Sequence, residues 1–139
     1  MEFIKSNILK HPNLKHAFCL RSGGVSPHPY KSLNCSYYVG DQNINVKKNH
    51  ELILKSLNFE KSFSVKQVHS NKVVCAEDHL SKNTEIEADA IICKSFDLAI
   101  SVTTADCAPL LIFDRKELIV GAAHAGWKGA VKGITDNLI

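Results

Sequence analysis

The sequence predicts an α+β fold, mainly sheet, with one helix early in the chain and one at its end. Three observations carry this expectation. Apolar runs of strand length recur from Phe63 to His124. The segment after Gly40-Asp41 switches to a helical period. Gly126-Trp127-Lys128-Gly129 then opens a second helical pattern that continues to the last residues.

His16–Arg21 reads as a short strand. It runs into a turn-rich loop, Ser22-Gly23-Gly24-Val25-Ser26-Pro27-His28-Pro29, where glycine allows unusual backbone angles and proline stops regular pairing. Asn34–Val39 is expected to form a second strand. Val46, Ile53, Leu54 and Leu57 fall at i, i+7, i+8 and i+11, one face of a helix. Asn43 or Asn45 is its candidate N-cap, and Asn58 follows the last apolar position.

Strand patterns then dominate. Ser62–Val68 alternates with Phe63, Val65 and Gln67 on one side, and Val73–Ala76 follows a turn at Asn71-Lys72. A polar loop, Glu77–Glu87, leads to Ala88–Cys93, Leu98–Thr103, Pro109–Asp114 and Leu118–His124, the last two joined across Arg115-Lys116. The unbroken run Leu110-Leu111-Ile112-Phe113 predicts a strand buried on both faces. In the final helix Val131, Ile134 and Leu138 fall at i, i+3 and i+7. That pattern is still running at Ile139, so a C-terminal part beyond it is expected.

With 139 residues, 45% hydrophobic and 22% charged, the chain is expected to be one domain over 1–139 with its own core and no need of disulfide staples. Its 7 Gly and 4 Pro argue against low complexity or collagen-like sequence. The net charge of +3 divides unevenly, +6 over residues 1–70 and −3 over 71–139. The basic residues are scattered, with Lys47-Lys48 the only doublet in the first half, which points to a solvated surface and away from nucleic acid. Apolar stretches such as Leu98–Ala105 and Leu118–Trp127 fall far short of the ~20 residues a membrane span needs. The N-terminus has no apolar signal core. Five cysteines without a Cys-x-x-Cys pair fit a reduced, cytoplasmic protein.

Three side chains able to bind a soft metal stand at expected strand ends: His69, Cys107 and His124. As three protein ligands for zinc or copper they would leave a fourth position open, the catalytic arrangement. Gaps of 38 and 17 residues match no compact metal motif, and a core cysteine with two ordinary histidines explains the same residues. Cys107 could equally be a nucleophile activated by either histidine and oriented by Asp106, which is otherwise a turn or cap carboxylate. Arg21 before Ser22-Gly23-Gly24 could clamp an anion, as could Lys128 with the free amides of Gly126–Gly129. A plain turn and a plain helix start account for those two segments as well. Cys19, Cys35, Cys75 and Cys93 are expected in the core. His11, His16, His28, His50 and His79 are expected in loops or at the surface.

Taken in order, Arg21-Ser-Gly-Gly-Val-Ser26, Ser32-Leu-Asn34, Val39-Gly-Asp41, Asn49, Gln67-Val-His69, Ala88-Asp-Ala90, Thr104-Ala-Asp-Cys107-Ala-Pro109 and His124-Ala-Gly-Trp-Lys-Gly129 resemble the YfiH/YlmD family of laccase-domain proteins. The resemblance runs from about Phe18 to the end, and family members are substantially longer. It implies a layered α/β/β/α fold with mixed sheets, grouped with the catalytic domain of cytotoxic necrotizing factor. It also implies that His69, Cys107 and His124 ligate a metal, zinc or copper. The implied activity is phosphorolysis of adenosine, inosine and methylthioadenosine to base and ribose 1-phosphate, with adenosine deamination. The implied partners are purine nucleosides and phosphate, with Arg21 the candidate for the anion. Three alternatives stand beside this. Cys107 could serve a hydrolase that edits peptidoglycan precursors. The older family name implies copper-dependent phenol oxidation, but several copper sites need more ligand sets than the seven histidines here supply. The chain could also be an inactive remnant, or one half that pairs with a separately encoded second half.

Overall fold

The computed structural model describes residues 1–82 and 84–139. They form two units, Met1–Glu60 and Lys61–Ile139. The mixed α+β character expected from the periodicities is present in the element order.

In the first unit, strands β1 (Phe3–Ile4) and β2 (Phe18–Cys19) pair antiparallel, with Phe3 opposite Cys19. Neither the two-residue β1 nor the trimming of β2 inside His16–Arg21 leaves a readable period. The helix α1 covers Asn43–Leu57. Its N-cap is Gln42, neither Asn43 nor Asn45, and no side chain caps it. The Gln42 carbonyl takes the amides of Asn45 and Val46 instead, at 2.9 and 3.2 Å. At the other end Asn58 is left-handed at φ 58°, and the amides of Asn58 and Phe59 bond back to Lys55 and Leu54, a regular helix stop.

The fully buried residues of α1 are Val46 and Asn49. Asn49 is polar on the inward face, and its amide is fully used. Its Oδ1 accepts the Val25 amide at 2.8 Å, and its Nδ2 donates to Ser26 Oγ at 2.9 Å and the Asn34 carbonyl at 2.8 Å. One side chain thus fastens the Ser22–Pro29 loop to the helix. The expected strand Asn34–Val39 is absent. The Asn34 side chain accepts the Ser36 amide at 3.0 Å and donates to Asp41, and Ser36 Oγ accepts the Tyr38 amide. These local bonds take the backbone groups that a strand ladder would need.

In the second unit, β3 (Lys61–Phe63) and β6 (Leu98–Ile100) pair in parallel. A four-stranded mixed sheet runs in the order β4 (Val73–Cys75), β5 (Ala90–Cys93), β8 (Ile119–Ala125), β7 (Ala108–Asp114). The strands β4 and β5 are parallel, while β8 is antiparallel to both its neighbours. Ser62–Val68 is strand only to Phe63, and Leu98–Thr103 only to Ile100. Beyond Phe63, Lys66 makes a single parallel bridge to Glu87. The polar loop Glu77–Glu87 begins with a 3-10 turn at Ala76–Asp78. It includes position 83, which lies outside the described residues.

Apolar side chains cover both faces of the sheet. Val74, Ala76, Ala88, Ile91, Cys93 and Leu98 make one cluster, joined by Phe63 and Val65. Ala90, Ala123, Ile134 and Leu138 make the other, joined by Val73, Ile92, Leu110 and Ile112. The doubly buried strand is therefore β5, whose alternate residues feed the two clusters. The strand β7, expected to be buried on both faces, is an edge strand whose residues 109–113 are half-buried.

The β7–β8 connection is Arg115–Leu118, longer than the expected Arg115-Lys116. Asp114 Oδ1 accepts the amides of Lys116 and Glu117 at 2.7 and 3.0 Å, and Leu118 turns the chain at φ 56°. The final helix is two helices, α2 (Trp127–Val131) and α3 (Ile134–Leu138), broken where Gly133 sits at φ 79°. The break resets the helical phase. Ile134 and Leu138 are buried, while Val131 is 82% exposed and leaves the expected stripe.

Cys93 is buried, Cys35 and Cys75 are half-buried, and Cys19, expected in the core, is exposed. Burial pushes the Cys35 thiol up to about 12 and the Cys93 thiol up to about 11. His50 is not in a loop. It lies half-buried on α1, its Nε2 2.9 Å from the Cys35 carbonyl. His79 is half-buried and stacks on Phe63.

A candidate metal centre

The site is built around Asp89, a fully buried carboxylate just before β5. Its two oxygens accept three successive backbone amides, Val68 at 3.1 Å, His69 at 3.0 Å and Ser70 at 2.7 Å. The Ser70 hydroxyl donates to it at 2.8 Å. Three consecutive N–H groups converge on one anion only if the chain reverses between them, and His69 does so at φ 58°. A left-handed non-glycine residue costs roughly 1–2 kcal/mol, which these charge-assisted bonds offset.

The same carboxylate holds His124. Its Oδ1 lies 2.8 Å from His124 Nδ1, and the His124 amide donates to the Asp89 carbonyl at 2.7 Å. His124 is near the end of β8, opposite Pro109, and is buried. Burial alone would raise the Asp89 carboxyl. Hydrogen bonds from His124, Ser70 and Val68 outweigh it and hold the group below its ordinary value, so Asp89 is an anion at neutral pH.

Cys107 immediately precedes β7, on a turn where the Thr104 hydroxyl donates to the Cys107 carbonyl. The loops bearing His69 and Cys107 are joined by Gln67. Its Nε2 donates to the Thr103 carbonyl at 2.7 Å, and its Oε1 accepts the Thr103 amide at 2.7 Å. The side-chain amide replaces a pair of ladder bonds between two segments that have stopped being strands.

These elements bring three donors together. One ligand atom from each of His69, Cys107 and His124 lies within 4.8 Å of the others. Cys107 Sγ is 3.9 Å from His69 Nε2, and the two imidazoles meet edge to face with centroids 4.8 Å apart. Gly126 makes this approach possible. A Cβ there would stand 2.7 Å from His69 Cδ2 and 3.2 Å from Cys107 Sγ. His124 is buried and His69 exposed, so the cluster is open on the His69 side.

Two imidazoles and a thiol are the donor chemistry of a tetrahedral zinc ion, and their spread of up to 4.8 Å would have to contract around it. Bonds of about 2.0–2.1 Å to nitrogen and 2.3 Å to sulfur put neighbouring donors about 3.3–3.6 Å apart. The 3.9 Å separation of Cys107 Sγ and His69 Nε2 needs to close by only a few tenths of an ångström. With Nδ1 turned to Asp89, His124 offers Nε2, the usual carboxylate–histidine–metal relay.

Of the four site residues expected from sequence, His69, Cys107 and His124 are gathered here in the second unit, and Arg21 belongs to the first. The Arg21 guanidinium is exposed and donates to the Lys31 carbonyl through Nη2 at 2.8 Å and Nε at 3.3 Å. The carboxylate that orients a histidine is Asp89; Asp106 is exposed. The sequence reading includes Asp89 only within the Ala88-Asp-Ala90 motif and assigns it no role, although a lone acid in Ala88-Asp89-Ala90-Ile91-Ile92 is a signal. The glycines of Gly126–Gly129 serve close packing. A Cβ at Gly129 would meet the Ser70 carbonyl at 2.5 Å. Lys128 Nζ lies 5.6 Å from the centre of the Trp127 ring.

The family model described as multi-copper polyphenol oxidoreductase laccase matches residues 15–139. Among curated relatives, a Streptomyces griseus protein named purine nucleoside phosphorylase ORF3 is 40% identical over 85% of this chain and 49% of its own. The Bacillus subtilis purine nucleoside phosphorylase YlmD is 35% identical over 88% of this chain and 47% of its own. The crystal structure of the Neisseria meningitidis protein NMB0706 superposes with a TM-score of 0.89 at 35% identity, covering 98% of this chain and 55% of that one. The chain thus spans about half the length of the relatives it matches.

Proposed function

The chain belongs to the multi-copper polyphenol oxidoreductase laccase family, and from that premise we propose that it carries the metal centre of an enzyme phosphorolysing purine nucleosides. The reading covers adenosine, inosine and methylthioadenosine as substrates, phosphate as co-substrate, and deamination of adenosine. The observation that carries it is the convergence of His69, Cys107 and His124 within 4.8 Å, in a chain whose relatives are named purine nucleoside phosphorylases.

His69, Cys107 and His124 would hold the ion, zinc in our reading, with copper the alternative. When bound, zinc supplies Lewis acidity that ionises water near neutral pH, the chemistry deamination needs. Cys107 would hold the ion as a thiolate, its proton passing to solvent. Asp89 fixes the His124 ring from below, and Gly126 keeps the floor open. The exposed His69 flank is where a nucleoside would enter. Arg21 is our candidate for phosphate, its planar guanidinium suited to a bidentate grip. A nucleophilic Cys107 is the second reading, supported by the 3.9 Å separation from His69 Nε2.

The test is metal analysis of the purified chain together with phosphate-dependent release of base from adenosine. It is run on the chain alone and after mixing with the C-terminal half of a relative. Near-stoichiometric zinc with ribose 1-phosphate formation in either arm supports the proposal. A folded, metal-free protein whose Cys107 is rapidly alkylated, inactive on nucleosides in both arms, would overturn it in favour of the cysteine hydrolase.

A further inference from the structure

We propose that Asp89 is the positioning residue for the whole donor set, selecting the metal-binding nitrogen of His124 and placing His69 through its backbone. The inference rests on the metal reading of the cluster and extends it to a residue that touches no metal. A structural carboxylate would need only enough partners to be satisfied. Asp89 takes five donors, and they come from both histidine-bearing segments.

Two independent degrees of freedom are fixed at once. The first is the His124 tautomer. A hydrogen bond from Nδ1–H to the Asp89 carboxylate fixes the neutral ring in the tautomer whose Nε2 lone pair is free for a metal. The second is the left-handed turn at His69, which exists because the amides on either side of it and its own point to the same carboxylate. Ser70 is held in turn from behind, where α2 packs against its carbonyl at Gly129. Asn71 extends the clamp, donating to the Lys132 carbonyl and accepting from Asn137 Nδ2, both at 2.8 Å. The exposed ligand, His69, is therefore placed through its main chain as well as through the contacts of its ring.

The experiment has two arms. Nitrogen-15 chemical shifts of His124 in the metal-free wild-type protein report its tautomer without any substitution. The expected result is Nδ1–H, and an Nε2–H or mixed ring would overturn the proposal. In the second arm, zinc affinity is measured by competition with a chromophoric chelator for wild type, Asp89→Asn, His124→Ala and the double variant. The cobalt-loaded proteins give the thiolate-to-metal absorption band. Asp89→Asn should weaken zinc about 10–100-fold and alter the cobalt band. In the His124→Ala background the same change should cost less, because one of its two routes to the metal is gone. A folded Asp89→Asn protein with wild-type zinc affinity, or an equal loss in both backgrounds, would overturn the inference. If Asp89→Asn does not fold, Ser70→Ala, which removes one of the five donors on Asp89 but no ligand, should still shift the cobalt band. A wild-type protein that binds no zinc refutes the metal reading alone, and the tautomer arm still decides the role of Asp89.

Discussion

Replacing Gly126 by alanine separates the fold from the site more cleanly than any ligand substitution. The backbone there is extended at φ −67° and ψ 157°, so alanine is accepted without strain and restricts the unfolded chain, worth roughly 0.4–1 kcal/mol. The added Cβ, however, would stand 2.7 Å from His69 Cδ2, where carbon atoms prefer about 3.5–4.0 Å. Relief requires a movement of roughly 0.8–1.3 Å. His69 is exposed, so its ring can swing outward and the overpacking penalty stays near the low end, about 1 kcal/mol. The two contributions nearly cancel, and the metal-free variant should melt within about 4 °C of wild type. The donor set has no such tolerance, because metal–ligand distances hold to about ±0.2 Å. Zinc affinity should fall by at least about tenfold, the scale at which loss of ligand orientation is felt. Thermal melts of the metal-free proteins and chelator competition for zinc measure the two effects separately. Unchanged zinc affinity would refute the claim that Gly126 shapes this centre. A large drop in melting temperature would make it a core position instead.

Cys107→Ser should lower zinc content and nucleoside turnover together while the melting temperature of the metal-free protein holds; full zinc occupancy in an inactive variant would make Cys107 the nucleophile. Glu77 predicts a pH dependence. Burial raises its carboxyl, but bonds from Cys75, its own backbone, Ser95 and Lys94 outweigh it and hold the group below its ordinary value. The stability it contributes is present above the unfolded value near 4.3 and is lost as pH falls from there toward the lowered folded value. Urea midpoints between pH 6 and pH 3 should therefore fall less steeply in Glu77→Gln than in wild type, and parallel curves would exclude the role. Ile134→Ala removes a fully buried side chain of α3 and should cost about 2–5 kcal/mol by urea denaturation. A loss under about 1 kcal/mol would mean that α3 does not close that face of the sheet.

How far the fold was legible follows from what each residue packs against. Val46 carried the period of α1, but its equally buried neighbour Asn49 was invisible to hydropathy because its burial is secured by hydrogen bonds to Val25, Ser26 and Asn34. Asn34–Val39 has the residue types of a strand, and its side chains satisfy the backbone locally instead. The double burial expected for β7 belongs to β5, because a run of four apolar residues looks the same in a central strand and at an edge.

The three donors were legible as residues at strand ends, but not as a site. Their gaps of 38 and 17 residues acquire meaning only once β8 lies between β5 and β7, which puts His124 opposite Pro109, two residues from Cys107. His69 arrives by a different route, since no strand pairing holds it. Its place comes from amides that converge on Asp89, and an amide carries no signature of residue type. That is why the resemblance could associate the three residues while periodicity and spacing could not, and why Asp89 was assigned no role. It also explains the Gly126-Trp127-Lys128-Gly129 segment. Gly126 makes room for Cys107 and His69, and Gly129 lets α2 lie on the Ser70 carbonyl, so this segment packs closely against the His69 loop.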